Sequence, residues 1–210
     1  MLHVPAIGQS LAARAETART RSLAVASDAR VRGQAFRSLL AALSSVSVDV
    51  EAVVQRLPAD VATLLNGDVR GTGWYPVASY GLLHQAALDV TGKPTSFSRE
   101  IGQQAKRLDG RGVFQFVLRF VSPESLIRHA DRVLGLYVDG PMIDVSLIAD
   151  AAGKRRARVH ITNAAGYTEP IWQDHYGSME AMVALSGGRN PEAVEIDRGD
   201  EWSICELSWL

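Results

Sequence analysis

The side chains whose types and placement could perform acid–base or metal chemistry are His160, Asp174, His175 and Glu180. His160 falls on a predicted strand and the other three on the helix after it, so a convergent general acid, general base or metal ligand set is conceivable. Spacing argues against it: His175 and Glu180 are five residues apart, whereas a helix brings together side chains three or four apart. His84, within Leu82-Leu83-His84-Gln85-Ala86-Ala87-Leu88, sits on a predicted helix among apolar residues and reads as a satisfied interfacial histidine rather than a ligand. His129 borders the apolar stripe of its helix and reads as a solvated or capping residue. Cys205 is the single cysteine, which excludes an internal disulfide and a cysteine-cluster metal site and leaves a packed thiol.

Catalytic signatures are missing. The sequence has no Gly-x-Ser-x-Gly elbow, P-loop, His-Glu-x-x-His or Rossmann glycine pattern. Gly71-Thr72-Gly73 and Gly110-Arg111-Gly112 lack the strand-to-helix context and following lysine of a phosphate cradle and read as turns. Arg198-Gly199-Asp200 is likewise a hairpin turn. The expectation is a protein that is not an enzyme and carries no metal or other cofactor.

Two binding surfaces are suggested instead. Trp74, Tyr75, Tyr80, Phe116, Phe120, Tyr137, Trp172 and Tyr176 are aromatics near predicted element ends or inner faces, the side chains that line apolar ligand pockets. Lys154, Arg155, Arg156 and Arg158 surround the end of a predicted hairpin. They form either a solvated edge that discourages sheet-to-sheet pairing or a surface for an acidic protein or an anionic ligand.

The whole chain supplies the setting. Its 210 residues are 47% hydrophobic and 21% charged, enough to bury a sizeable core. Lys+Arg of 22 against Asp+Glu of 23 leaves a formal charge of -1, so no overall field draws it to nucleic acid or anionic lipid. No apolar run approaches a spanning length of roughly 20 residues, and no basic segment followed by an apolar stretch opens the chain. These features predict a cytoplasmic protein without membrane insertion. Residues 1–31 are an Ala/Arg-rich extension with little apolar face, expected to be mobile or to engage a partner.

The elements that must position the candidates follow from periodicity. Phe36, Leu39, Leu40 and Leu43, then Val50, Val53, Val54 and Leu57, then Val61, Leu64 and Leu65 predict three short helices, the last stopped by Asn66-Gly67. Gly71 and Gly73 predict a turn that places Trp74 and Tyr75 at a helix entrance, with Pro76 in the first helical turn and Tyr80, Leu83, Ala87 and Val90 continuing to Gly92. Residues 97–108 predict another helix, and Val113 to Val121 is assigned as helix too. Ser122 as N-cap, Pro123, and the stripe Leu126, Ile127, Ala130, Val133, Leu134 and Tyr137 predict one continuous helix. The period then switches to two: Ile143, Val145, Leu147 and Ala149 face Ala157, Val159 and Ile161 in a hairpin. A helix from Glu169 to Ser186 and two short strands, Ala193–Asp197 and Glu201–Trp209, complete a C-terminal ββαββ arrangement. The predicted class is α+β, an N-terminal helical layer packed on a small antiparallel sheet.

Arg32-Gly33 with Phe36, Leu57-Pro58, Trp74-Tyr75-Pro76, Ser122-Pro123-Glu124, Asp139-Gly140 and the ending Cys205-Glu206-Leu207-Ser208-Trp209 resemble a bacterial family abundant in myxobacteria. That family is similar in layout to the heme-nitric-oxide-binding and V4R sensor domains. The resemblance spans residues 32–210 as a single domain and implies a pocket between helices and sheet, with a signalling or ligand-binding role. It allows a homodimer without requiring one. The heme branch holds iron through a helical histidine and clamps the propionates with Tyr-x-Ser-x-Arg. The nearest region, Tyr137 to Ser146, lacks that spacing and the arginine, so heme is not expected. The V4R branch binds zinc in members with several cysteines, which Cys205 alone cannot supply. The leading expectation is a cytosolic sensor or adaptor that binds a small apolar ligand or a signalling protein. The alternative is a protein-interaction or assembly module that binds no small molecule.

Overall fold

The computed structural model describes residues 29–67, 69–109 and 121–210. Nearly all of the N-terminal extension, and Phe116 and Phe120 with most of the Val113–Val121 segment, lie outside the described residues. The elements run β1 (Arg30–Arg32), α1 (Gly33–Ser45), α2 (Val50–Gln55), α3 (Ala59–Asn66), β2 (Trp74–Pro76), α4 (Val77–Thr91), α5 (Phe97–Asp109), α6 (Pro123–Arg128), α7 (Ala130–Leu134), β3 (Val138–Asp139), β4 (Met142–Ala151), β5 (Lys154–Thr162), α8 (Glu169–Leu185), β6 (Glu192–Arg198) and β7 (Ser203–Trp209). The class is α+β, as the periodicity predicts.

The C-terminal ββαββ unit forms an antiparallel sheet of order β4-β5-β7-β6. The hairpin pairs Ile143 with Ile161 and Val145 with Val159, so one face of each strand enters the core. Towards the tip the register shifts between Ile148 and Ala151, and Leu147 is exposed rather than inward. Ala157, Val159, Ile161, Leu207 and Ala193 cover the inner face of the sheet. Helix α8 is sandwiched between this sheet and α5.

The α5–α8 crossing depends on two glycines. A Cβ at Gly177 would lie 2.0 Å from the Arg99 carbonyl oxygen, and one at Gly102 would lie 2.3 Å from that of Asp174. Each helix therefore presents a bare Cα where the other presents backbone, and the axes approach closely. On the far side of α5, helix α1 buries Phe36, Leu39, Ala42 and Leu43 at helical spacing. Helix α4 is buried on several sides, through Tyr80, Leu83, His84 and Ala87, and ends at Gly92 with φ +64. Among the described residues no helix is long and apolar enough to cross a membrane.

Three local expectations need correction. Trp74-Tyr75-Pro76 is a strand, not a helix entrance: Tyr75 pairs with Val31 and Trp74 with Arg32 in a second sheet of order β2-β1-β3. Pro76 is the residue before the helix rather than inside its first turn. The helix expected from Ser122 through Tyr137 is divided at His129. Ser122 does cap it, accepting from the Ser125 amide, but the His129 ring donates from Nδ1 to the Ser125 carbonyl at 2.8 Å. That carbonyl is the i−4 acceptor, and the His129 amide turns to Leu126 instead. Asn66-Gly67 does stop α3, with Gly67 at an ordinary φ of -85.

Candidate functional site

A cavity of about 120 Å³ lies where α1, α4, α5 and α8 meet α6, α7 and the β4–β5 hairpin. Much of its wall is apolar, supplied by Ile127 and Val133, by Val145 and Val159 across the hairpin, and by Met179 and Met182 on α8. These positions are the inward halves of amphipathic elements, which is why the sequence places them together. A belt of Tyr80, Lys106, Tyr137, Tyr167, Asp174 and His175 interrupts that wall.

The belt is only partly hydrogen-bonded. Tyr80 donates to Asp174 Oδ2 at 3.4 Å, while Asp174 Oδ1 has no hydrogen-bond partner. Behind it, His84 is fully buried, with Nε2 at 3.6 Å from Asp174 Oδ1 and its ring edge-on to Tyr80. Neither His84 ring nitrogen has a hydrogen bond, so the expected satisfied histidine is instead a polar group packed without one. Lys106 Nζ stands 3.1 Å from the centre of the Tyr137 ring and 3.8 Å from Asp109 Oδ2. The other oxygen of Asp109 accepts from Gln34 at 3.0 Å and from Ser38.

Burial dominates the protonation of this cluster. It pushes His84 down to about 3 and His175 to about 4, in the latter case helped by Lys106. It raises Asp174 to about 7 against the pull of Lys106 and Tyr80, and lowers Lys106 to about 8 against the pull of Asp109 and Asp174. The pH dependence of stability follows. Both histidines have depressed values, so their contribution is complete above about pH 6.5 and is lost as pH falls towards 4. Asp174 is raised, so its contribution is complete below about pH 4 and is lost as pH rises through 7. Between pH 4 and 6.5 Asp174 therefore offsets one of the two histidine protons. Asp174→Asn should steepen the rise of the urea midpoint with pH in this window by about one proton, and equal slopes in the two proteins would contradict the assignment.

The sequence candidates divide between several places. Tyr80 and Tyr137 line the cavity. Trp172 and Tyr176 are core instead: Trp172 packs on Tyr167 at 4.8 Å, and the Tyr176 hydroxyl bonds Glu195 at 2.8 Å and Ser203 at 2.6 Å. Trp74 and Tyr75 belong to the second sheet. The Arg32 guanidinium lies 4.3 Å over Trp74, and the Tyr75 hydroxyl accepts from the Arg70 amide at 3.0 Å.

The basic hairpin is largely compensated within the chain. Lys154 pairs with Glu192 at 3.3 Å, Arg155 with Glu124 at 3.0 Å and Arg156 with Glu206 at 2.6 Å, while Arg158 lies opposite Glu206 in the strand register. Of the four acid–base candidates, Asp174 and His175 reach the cavity. His160 packs against Trp202, and Glu180 turns to Arg99. Among the described residues no cluster of metal-ligating side chains forms.

Lys106, Asp109 and Tyr167 were not among the sequence candidates. The chain has three lysines, Lys93, Lys106 and Lys154, among its 22 basic residues. A lysine next to Ala105 in so arginine-rich a chain is the one signal the sequence offers.

No family model matches the sequence, and no curated protein matches it. Solved structures do match its backbone. One is described as an oxygen-binding H-NOX domain related to soluble guanylate cyclases, with 12% identity, a TM-score of 0.63, and coverage of 85% of this chain and 94% of that one. Another is an H-NOX protein from S. oneidensis in the Fe(II) ligation state, with 12% identity, a TM-score of 0.64, and coverage of 85% and 96%. A third, a Cs H-NOX mutant, shares 14% identity at a TM-score of 0.64, with coverage of 85% and 95%. At these identities the likeness concerns the backbone, and the α+β arrangement described above is the H-NOX fold.

Proposed function

We propose that this chain is a non-enzymatic sensor or adaptor domain whose cavity takes a small, largely apolar molecule directly, without heme. The observation that carries the reading is the cavity itself, about 120 Å³ between the helical layer and the sheet. An engineered apolar cavity of about 150 Å³ holds benzene or xenon, so a ligand of that class matches the space. A cytoplasmic location is part of the same reading, supported by a lone, free and buried cysteine.

Among the structural neighbours are an oxygen complex of an H-NOX domain and a protein whose heme redox potential is modulated by porphyrin distortion, so the fit of heme to these residues matters. A porphyrin requires an iron ligand and cations for its propionates. His175 offers a neutral ring nitrogen on the cavity wall. The second requirement fails: among the described lining residues there is no arginine, and Lys106 already faces Tyr137 and Asp109. Asp174 adds a carboxyl group that opposes propionates. At the position nearest the clamp motif the chain reads Tyr137-Val138-Asp139-Gly140-Pro141, and Asp139 pairs with Arg30. The described lining residues do not fit heme.

The test is thermal unfolding with and without saturating benzene. Benzene should raise Tm by the linkage expected for a ligand of the native state, about 1–2 kcal/mol at tenfold excess over Kd, and Val145→Phe, which fills the cavity, should abolish the shift. No shift in the unmodified protein, or stoichiometric heme uptake with a Soret band that His175→Ala removes, would overturn the reading.

A further inference from the structure

We propose that Lys106 is a nucleophilic amine that captures a small apolar aldehyde or ketone in the cavity as an imine. This rests on the reading of the cavity as a ligand site and names the chemical class it takes. Among the described lining residues Lys106 is the one primary amine. Its side chain is 14% exposed, so the amine is withdrawn from bulk water.

Its partners favour the charged ammonium, and burial outweighs them. Nζ faces the Tyr137 ring, and its carboxylate contact, Asp109 on the same helix, is long at 3.8 Å. From α8 it is faced by Asp174 and His175 across the cavity, and from α4 by Tyr80. A lysine so placed is biased towards its neutral, nucleophilic form, in keeping with the fall of Lys106 to about 8.

The reaction balances without an oxidant or reductant. The Nζ lone pair attacks the carbonyl carbon and one nitrogen proton passes to the carbonyl oxygen, giving a neutral carbinolamine. Its C–O bond then breaks as the hydroxyl takes a proton from an acid on the wall and leaves as water, the nitrogen–carbon double bond closes, and the iminium returns its remaining proton to that acid's conjugate base. Asp174, whose raised value keeps it partly protonated at neutral pH, is the acid on the wall that serves the departing hydroxyl. The apolar wall limits the water that would reverse the condensation.

The experiment uses the full chain with butanal and sodium cyanoborohydride, which reduces an imine to a stable butyl amine, followed by intact mass measurement and peptide mapping. With three lysines in the chain, peptide mapping resolves each of them and separates them from the N-terminal amine. Lys106 should gain one butyl group roughly tenfold or more faster than Lys93 and Lys154. Excess benzene should suppress that labelling alone, and Lys106→Met should lose it. Labelling of Lys93 and Lys154 with Lys106 unmodified overturns the proposal, and because the mapping is done on the unaltered protein, a misfolded variant does not obscure it. If benzene stabilises the protein while Lys106 stays unlabelled, the imine inference alone fails. If benzene has no effect either, the cavity reading fails with it.

Discussion

Gly177→Ala should cost at least about 3 kcal/mol of stability, beyond the usual range of an overpacked core. The new methyl group would fall 2.0 Å from the Arg99 carbonyl oxygen and 2.8 Å from its carbon. Both are backbone atoms of α5 and cannot rotate away as a side chain would, so the helices must separate. Gly102→Ala should behave alike, since its methyl group would meet the Asp174 carbonyl at 2.3 Å. Separation would also move Lys106 away from Asp174 and open the cavity. The control is Gly153→Asn, at φ +75 with no atom within 4 Å of the added Cβ. Asparagine tolerates that conformation, and the change should cost less than about 1 kcal/mol. Urea midpoints of the three variants decide it: similar midpoints for Gly177→Ala and Gly153→Asn would mean the crossing is looser than described.

Arg99→Met should cost about 3–5 kcal/mol, the range for stranding one member of a buried ion pair. Arg99 binds Glu180 through two guanidinium nitrogens and donates to the Ala193 carbonyl. Glu180, 5% exposed, also accepts from the Ala193 amide at 2.9 Å and from Gln103 at 2.7 Å. This cluster fastens the edge strand β6 to α5 and α8, so its loss should loosen the sheet margin as well. Glu180→Gln keeps an acceptor for the Ala193 amide and removes the charge. Adding it to Arg99→Met should therefore recover at least half of the loss in a double-mutant cycle, whereas strict additivity would show that the two side chains act independently.

Legibility followed the length of the signal. The hairpin, α4 and α8 are long enough for several periods, and their inward residues are those the periodicity names, except at the hairpin tip, where Leu147 and Ala149 are exposed beside the register shift. The second sheet escaped because its strands have 3, 3 and 2 residues, too few to alternate, and are brought together from distant parts of the chain. The break at His129 depends on one side-chain hydrogen bond inside an unbroken apolar stripe. The cavity was expected between helices and sheet, but two of its aromatic candidates, Trp172 and Tyr176, share an inward stripe with true lining residues and lie deeper in the core. Asp174 and His175 were set aside because helical geometry separates them from Glu180. That argument is correct for Glu180 and silent about Tyr80 and His84, which the fold brings to Asp174 from another helix. Gly102 and Gly177 were visible as glycines inside helical patterns, a recognised sign of close packing.

The division at His129 makes the walls of the cavity unequal in stiffness. On one side α5 and α8 are locked by interlocking backbones, whereas the opposite wall is built from α6 and α7, of 6 and 5 residues, each below the length at which a helix sustains itself. Those two segments are held by what they touch, including the contact of Leu126 with Met182. A guest larger than the resting volume would thus be accommodated by displacement of α6 and α7, while the locked pair keeps Lys106 and Asp174 in place. Shape selection and chemical selection would then reside on different walls of one chamber.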